Sequence, residues 1–232
     1  MLEIDAVAFD LDGTLYPNYR FYVRLIPFAV QEYRLLHAFG KARSILRSVR
    51  VGDPLYEQEF YETQAFLMAR IFNRNADQSE TAAMRKEIER LIYRGWEPVF
   101  KNVRLFPHVP EVLSALKRKG LKLGLLSDFP PEQKLKFLGL SGIWDAVLCS
   151  EETGRLKPDP KSFMALSEKL GVHPARILYV GNSKRYDVAG ATRTGMKTAL
   201  KVPFLLKCFN KPFDEKNFVF YDYRYLFDYV IK

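Results

Sequence analysis

Residues 4–16 read Ile4-Asp5-Ala6-Val7-Ala8-Phe9-Asp10-Leu11-Asp12-Gly13-Thr14-Leu15-Tyr16. Ile4 to Phe9 is short, mostly apolar and free of Gly and Pro. It reads as a buried strand of a parallel sheet. The strand stops abruptly at two carboxylates, Asp10 and Asp12, with Gly13 and Thr14 directly behind. Open α/β sheets bind ligands at the carboxyl ends of their strands, so this is where such a sheet carries chemistry. Gly13 lets the chain bend and bring both acids to one pocket. Two carboxylates that close repel unless a cation lies between them, and a hard divalent ion such as Mg²⁺ prefers oxygen ligands. The plainer reading is a turn, since Asp-Gly is a common turn pair. It loses ground because three later strand ends carry matching chemistry.

Composition narrows the function classes. The chain has 232 residues, of which 48% are hydrophobic and 27% charged, enough for a sizeable core in one domain with an insert or two modest domains. No apolar run reaches the roughly 20 residues of a membrane span. The start, Met-Leu-Glu-Ile-Asp, is acidic and does not resemble a signal peptide. Cys149 and Cys208 form no metal spacing and fit a reducing, cytoplasmic setting. The net charge of +9 steers anions toward the protein, and phosphorylated small molecules satisfy it. Nucleic acid is disfavoured as a partner, because basic residues are mostly interleaved with acids. The densest basic stretch, Lys41 to Arg50, reads as an amphipathic surface helix rather than a patch that tracks phosphates.

From residue 17 to about 100 the pattern is helical. A helix is expected over Phe21 to Phe39, closed by Gly40. Asp53-Pro54 reads as a second helix start, and Asp77-x-x-Glu80 as a capping box. Strands and helices alternate afterwards, with strands at Leu121–Leu126, Ala146–Cys149, Ile177–Val180, Met196–Val202 and Phe218–Tyr221. That alternation means right-handed crossovers and a parallel sheet. The expected fold is a Rossmann-like α/β core formed by 1–16 and 101–232, with an all-helical cap domain, 17–100, inserted after the first strand. An aromatic-rich segment, about 203–217 with Phe204, Phe209 and Phe213, fits neither pattern. His37, His108 and His173 do not pair at ligand spacing.

Asp10-Leu11-Asp12-Gly13-Thr14-Leu15 resembles the first motif of the haloacid dehalogenase-like (HAD) hydrolase superfamily, and the resemblance covers nearly the whole chain. It implies that Asp10 is a nucleophile toward phosphate and Asp12 a general acid/base, with its backbone carbonyl on Mg²⁺. Ser127, after the second strand, resembles the second motif and implies a hydroxyl on the phosphoryl group. Asp128 stands where the family often has Asn. It adds negative charge to the expected phosphate site of Gly13, Ser127, Asp128 and Lys157 unless it turns away into a helix cap. Lys157 in Leu156-Lys157-Pro158-Asp159-Pro160 resembles the third motif, its ammonium presented by a proline-stiffened loop to neutralise charge. Val180-Gly181-Asn182-Ser183-Lys184-Arg185-Tyr186-Asp187 resembles the fourth. Asp187 matches its second acid, while Asn182 departs from its first. The implied metal set is Asp10, Asp12, Asn182 and Asp187, one negative charge short of the usual one.

Hydrolysis of a phosphate monoester needs a nucleophile, a proton for the leaving oxygen and positive charge around the phosphoryl group. The motifs supply each. The expected function is a Mg²⁺-dependent phosphatase of a small phosphorylated metabolite, working through an aspartyl-phosphate on Asp10, in a monomer or homodimer. Alternatives are a nucleoside 5′-monophosphatase, since Tyr16-Pro17 after the motif resembles the pyrimidine 5′-nucleotidase-like branch, or a sugar phosphomutase. The aromatic residues Tyr16, Tyr19, Phe21 and Tyr22 could stack a base but read better as packing residues. A weakly active phosphate-binding or regulatory protein is the non-enzymatic alternative, favoured by Asn182 alone.

Overall fold

The computed structural model describes residues 3–72, 75–204 and 217–231. Six strands form one sheet: β1 (Ala6–Phe9), β2 (Lys122–Ser127), β3 (Ala146–Cys149), β4 (Ile177–Gly181), β5 (Lys197–Lys201) and β6 (Asn217–Phe220). Their order is β3-β2-β1-β4-β5-β6 and every pair is parallel. The chain crosses from β3 over to β4 on the other side of β1, so β1 lies at the centre of the sheet. This is the Rossmann-like α/β core expected from the alternation. Residues 205–216, which include Phe209, Phe213, Cys208 and most of the aromatic-rich segment, lie outside the described residues.

Alternation along the strands sorts the core into two layers. Val7, Phe9, Leu123, Leu125, Leu178 and Val180 face one cluster, and Ala6, Ala8, Leu126, Ile177 and Tyr179 face the other. β1 is completely buried on both sides, which is why it reads as a continuous apolar run rather than an alternating one.

Between β1 and β2 run α1 (Asn18–Gln31), α2 (Tyr33–Ser48), α3 (Phe60–Ile71), α4 (Gln78–Ile88), α5 (Glu97–Phe100) and α6 (Val109–Arg118). The crossovers of the core add α7 (Glu132–Phe137), α8 (Pro160–Leu170) and α9 (Ala189–Arg193), and α10 (Tyr223–Ile231) follows β6. The helices α2 to α4 have a core of their own, in which Leu35, Phe39, Met68, Met84 and Ile88 are buried. No helix among the described residues is long and apolar enough to cross a membrane.

Two helix boundaries differ from expectation. The single helix expected over 21–39 is two, broken at Glu32, and Gly40 lies inside α2 instead of closing it. Packing overrides propensity here: Ala42 and Leu46, beyond Gly40, continue the buried face of Leu35, Ala38 and Phe39. Asp53-Pro54 starts no helix. The Asp53 carboxylate accepts from the Leu55 N–H at 2.8 Å within a turn, and α3 begins later, capped by Glu59. The Asp77 cap is present, its carboxylate accepting from the Glu80 N–H at 2.8 Å.

Gly190 shows how tightly the core behind β4 is packed. A Cβ there would lie 2.2 Å from the Phe163 ring. That ring packs edge-on against Tyr179 with centroids 5.0 Å apart. Gly190→Ala, ordinarily favourable in a helix, is expected to destabilise the fold by about 1–3 kcal/mol through overpacking. A lower urea midpoint with an unchanged slope is the check.

Candidate active site

The sheet register brings distant residues to one edge. Phe9 is level with Leu125 on one side and with Val180 on the other. The Asp10 N–H donates to the Val180 carbonyl at 2.8 Å, so Asp10 leaves the strand one step beyond the last paired residue. Ser127 is level with Cys149, and the loop after β3 returns Lys157 to the same edge.

Lys157 is at the centre of the site. Its Nζ donates to Asp10 Oδ1 at 2.6 Å and to Asp187 Oδ1 at 2.7 Å, and it lies 3.4 Å from both the Leu126 carbonyl and the Tyr179 hydroxyl. All three charged groups are 5% exposed or less. Thr14 Oγ1 donates to the other Asp10 oxygen at 2.6 Å. Burial pushes the Asp10 carboxyl up, to about 7; Lys157 opposes this, and Asp187 and Asp12 add to it. Burial works against the Lys157 ammonium, but Asp10 and Asp187 hold it well above the usual lysine range.

Asp12 stands apart. Lys134 Nζ donates to both of its carboxylate oxygens at 2.8 Å, and the Tyr16 hydroxyl donates to one of them. Lys134 is itself buried, its ammonium 4.9 Å from the Phe100 ring centre and 5.1 Å from that of Phe129. Burial, and next Asp12, push the Tyr16 hydroxyl well above the usual range, so it stays a donor. Lys134, Tyr16 and Thr14 are site residues that motif reading missed. Thr14 and Tyr16 lay inside the quoted stretch. Lys134 is separated from Asp12 by 122 positions and meets it only through the fold.

Ser127 is fully buried, and its Oγ accepts from the Phe129 N–H at 3.1 Å. Its own proton donates to no described residue. Gly13 has φ +85°, and a Cβ there would lie 2.1 Å from the Asn182 amide nitrogen, so the turn after Asp12 accepts glycine alone. Tyr19 and Tyr22 are exposed, and Phe21 is stacked on Phe100 in the core. Of the histidines, His173 caps a turn through Nδ1 and His37 stacks on Tyr33.

Asp128 does not cap the following helix. Its carboxylate accepts from Arg47 at 2.9 Å, from the Lys157 N–H at 3.1 Å and from the Ser150 hydroxyl. Burial alone raises this carboxyl, but Lys157, Arg43, Arg47 and Ser150 together bring it down to about 2. The arginines come from α2, the stretch expected to be a solvated face. They lie four residues apart and so share one side of the helix. Arg43 is buried, pairs with the buried Glu151 and donates to the Asp128 carbonyl at 3.0 Å. Arg47 also donates to the Lys157 carbonyl at 3.2 Å. Tyr93 completes the cluster, donating to Glu151 at 3.0 Å.

The proposed metal ligands are also redistributed. Asp187 spends one oxygen on Lys157 and the other on the N–H groups of Asn182 and Ser183, at 3.1 and 2.9 Å. It braces the loop while holding the Lys157 ammonium. The Asp12 side chain is taken by Lys134, but its main-chain carbonyl faces Asn182, whose Nδ2 donates to it at 3.3 Å. Among the described residues no three Asp, Glu, His or Cys side chains form a ligating group. A mixed oxygen set remains: the Asp10 carboxylate, the Asp12 carbonyl and the Asn182 amide, whose oxygen comes forward by a half-turn of its last torsion. Lys157 meets Asp10 and Asp187 and Lys134 meets Asp12, so three acids are set against two ammonium groups. These residues fit a hard divalent ion such as Mg²⁺.

The family model described as haloacid dehalogenase-like hydrolase matches residues 4–195. The chain belongs to the haloacid dehalogenase-like hydrolase family. Two of its relatives are phosphatases by name. A phosphoglycolate phosphatase of Shigella dysenteriae is 29% identical over 201 residues, 83% of this chain and 79% of the relative. A glyceraldehyde 3-phosphate phosphatase of Methanopyrus kandleri is 27% identical over 207 residues, 84% and 82% of the two chains. Among solved structures, a HAD phosphatase from Thermococcus onnurineus superposes with a TM-score of 0.65 over 98% of both chains. At 22% identity that likeness concerns the fold of this haloacid dehalogenase-like hydrolase alone.

The Arg43–Glu151 pair generates a stability prediction. Arg43→Met leaves a buried Glu151 without its cation and is expected to cost about 3–5 kcal/mol, while Arg43→Met with Glu151→Leu recovers most of the loss. A double-mutant cycle in urea measures the coupling.

Proposed function

We propose that this hydrolase is a Mg²⁺-dependent phosphatase of a small phosphorylated metabolite, acting through an aspartyl-phosphate on Asp10. The observation that carries the reading is Asp10 itself: a buried carboxylate held by Thr14 and Lys157 at the edge where Asp12 and Ser127 also arrive. The names of the phosphatase relatives point the same way.

Asp10 attacks phosphorus, and the bond from phosphorus to the leaving oxygen breaks. Asp12 in its protonated form gives its proton to that oxygen, then as the carboxylate takes one from the water that attacks the aspartyl-phosphate. Lys157 and the Ser127 hydroxyl meet the charge on the phosphoryl oxygens. Thr14 and Asp187 orient Asp10 and Lys157, while Lys134 and Tyr16 orient Asp12. Bound Mg²⁺, on Asp10, the Asp12 carbonyl and Asn182, supplies the charge neutralisation that lets a carboxylate approach a dianionic phosphate.

In this reading the helices of 17–100 form the cap over the core of 1–16 and 101–232, and Asp128 ties cap to core instead of binding phosphate. A cleft of about 580 Å³ beside Lys134, lined by Tyr93, Trp96, Phe100 and Phe129, would take the leaving group. Those aromatic walls favour a nucleoside monophosphate as the second reading.

The experiment is hydrolysis of p-nitrophenyl phosphate with and without Mg²⁺. Release that requires Mg²⁺ and falls by at least 10³-fold in Asp10→Asn is expected; activity retained in that variant would sink the mechanism. Asn182→Asp restores a carboxylate next to the Asp12 carbonyl and is expected to tighten Mg²⁺ binding at least tenfold, read by titration calorimetry on the protein without substrate.

A further inference from the structure

A second cleft of about 580 Å³ opens between α2 and α9. Four arginines line it: Arg47 and Arg50 at the end of α2, Arg185 in the turn after Asn182, and Arg193 in α9. The acid in its wall is Asp159, and that carboxylate caps α8, accepting from the Lys161 N–H at 2.9 Å. Arg47 is paired with Asp128. The other three have no carboxylate partner among the described residues. Arg50 donates only to the Arg47 and Val49 carbonyls, both at 3.1 Å, and the Arg185 guanidinium lies 5.6 Å from the Tyr186 ring centre.

Guanidiniums that line one concave site without carboxylate partners among the described residues repel one another, and a bound anion relieves that repulsion. Arginine forks match phosphate oxygens in pairs and lose little order in doing so. The volume exceeds what one phosphoryl group fills, and the charges come from both sides of the cleft. We infer that this cleft is a second anion site, distinct from the Asp10 centre, for a ligand carrying two or more linked phosphoryl groups.

An occupant would bridge α2 to α9. It would sit against Arg47, which also holds the Asp128 carboxylate and the Lys157 carbonyl and lies 4.7 Å from the Tyr186 ring centre. The site is therefore joined to the catalytic loop through Arg47 and through Pro158 and Asp159 of its own wall, while sharing no proposed catalytic group with it.

The test is calorimetric titration of the full chain with tripolyphosphate at physiological salt, on the wild type and on Arg50→Ser/Arg193→Ser. The variant is expected to bind at least tenfold more weakly while its KM for p-nitrophenyl phosphate is unchanged. Arg193→Ser alone, at an exposed position, is expected to weaken binding several-fold with an unaltered melting temperature. Titrations with pyrophosphate and ADP then separate the sources of the linked phosphates: equal affinities assign the site to the phosphate chain, a tighter ADP to a nucleotide. Unchanged tripolyphosphate affinity in the double variant, simple competition with p-nitrophenyl phosphate, or tighter binding of a single-stranded oligonucleotide would each overturn the proposal.

Discussion

The molecule is organised around one ammonium. Lys157 bridges Asp10 and Asp187 in a place almost closed to water. A buried ion pair stabilises little by itself, because desolvation opposes the attraction, yet removing one partner leaves an uncompensated charge. The constraint is therefore on position. β1 must deliver Asp10, the loop before α8 must deliver Lys157, and the turn after β4 must deliver Asp187, all to the same few ångströms. A parallel sheet with β1 at its centre does this, since neighbouring strands end together.

The second constraint is the ion network that ties the helices after β1 to the core. Arg43 and Arg47 reach from α2 to Glu151, Asp128 and the Lys157 loop. Asp128 would be a repulsive neighbour for a phosphate if it faced the pocket. Its arginine and backbone partners turn that charge into a fastening, and the same loop keeps the Ser127 hydroxyl proton uncommitted. The acid that looked like a liability at the phosphate site is thus a link between the helical segment and the residues that hold Asp10.

Much of this was legible beforehand, and the remainder was not for physical reasons. The strands were readable because β1 and β4, and β2 beyond Lys122, are buried on both faces and so are written mostly in apolar residues. Asp10, Ser127, Lys157 and Asp187 were readable because each follows such a strand or its loop. Lys134 was hidden: a lysine in a short helix looks solvated, and only the fold sets it between Phe100 and Phe129 against Asp12. Arg43 was hidden likewise, its pairing with Glu151 being a long-range event with no spacing rule. Gly40 misled because local propensity for a helix end was outweighed by the buried face that continues through Ala42 and Leu46.

The central claim is covalent chemistry at Asp10, and the most direct measurement is peptide mass spectrometry after rapid acid quench during turnover. The account predicts a phosphoryl group on the peptide that carries Asp10, increased in Asp12→Asn, where the second step lacks its base, and absent in Asp10→Asn. Turnover with the label on another residue, or with no labelled protein in either the wild type or Asp12→Asn, would contradict it.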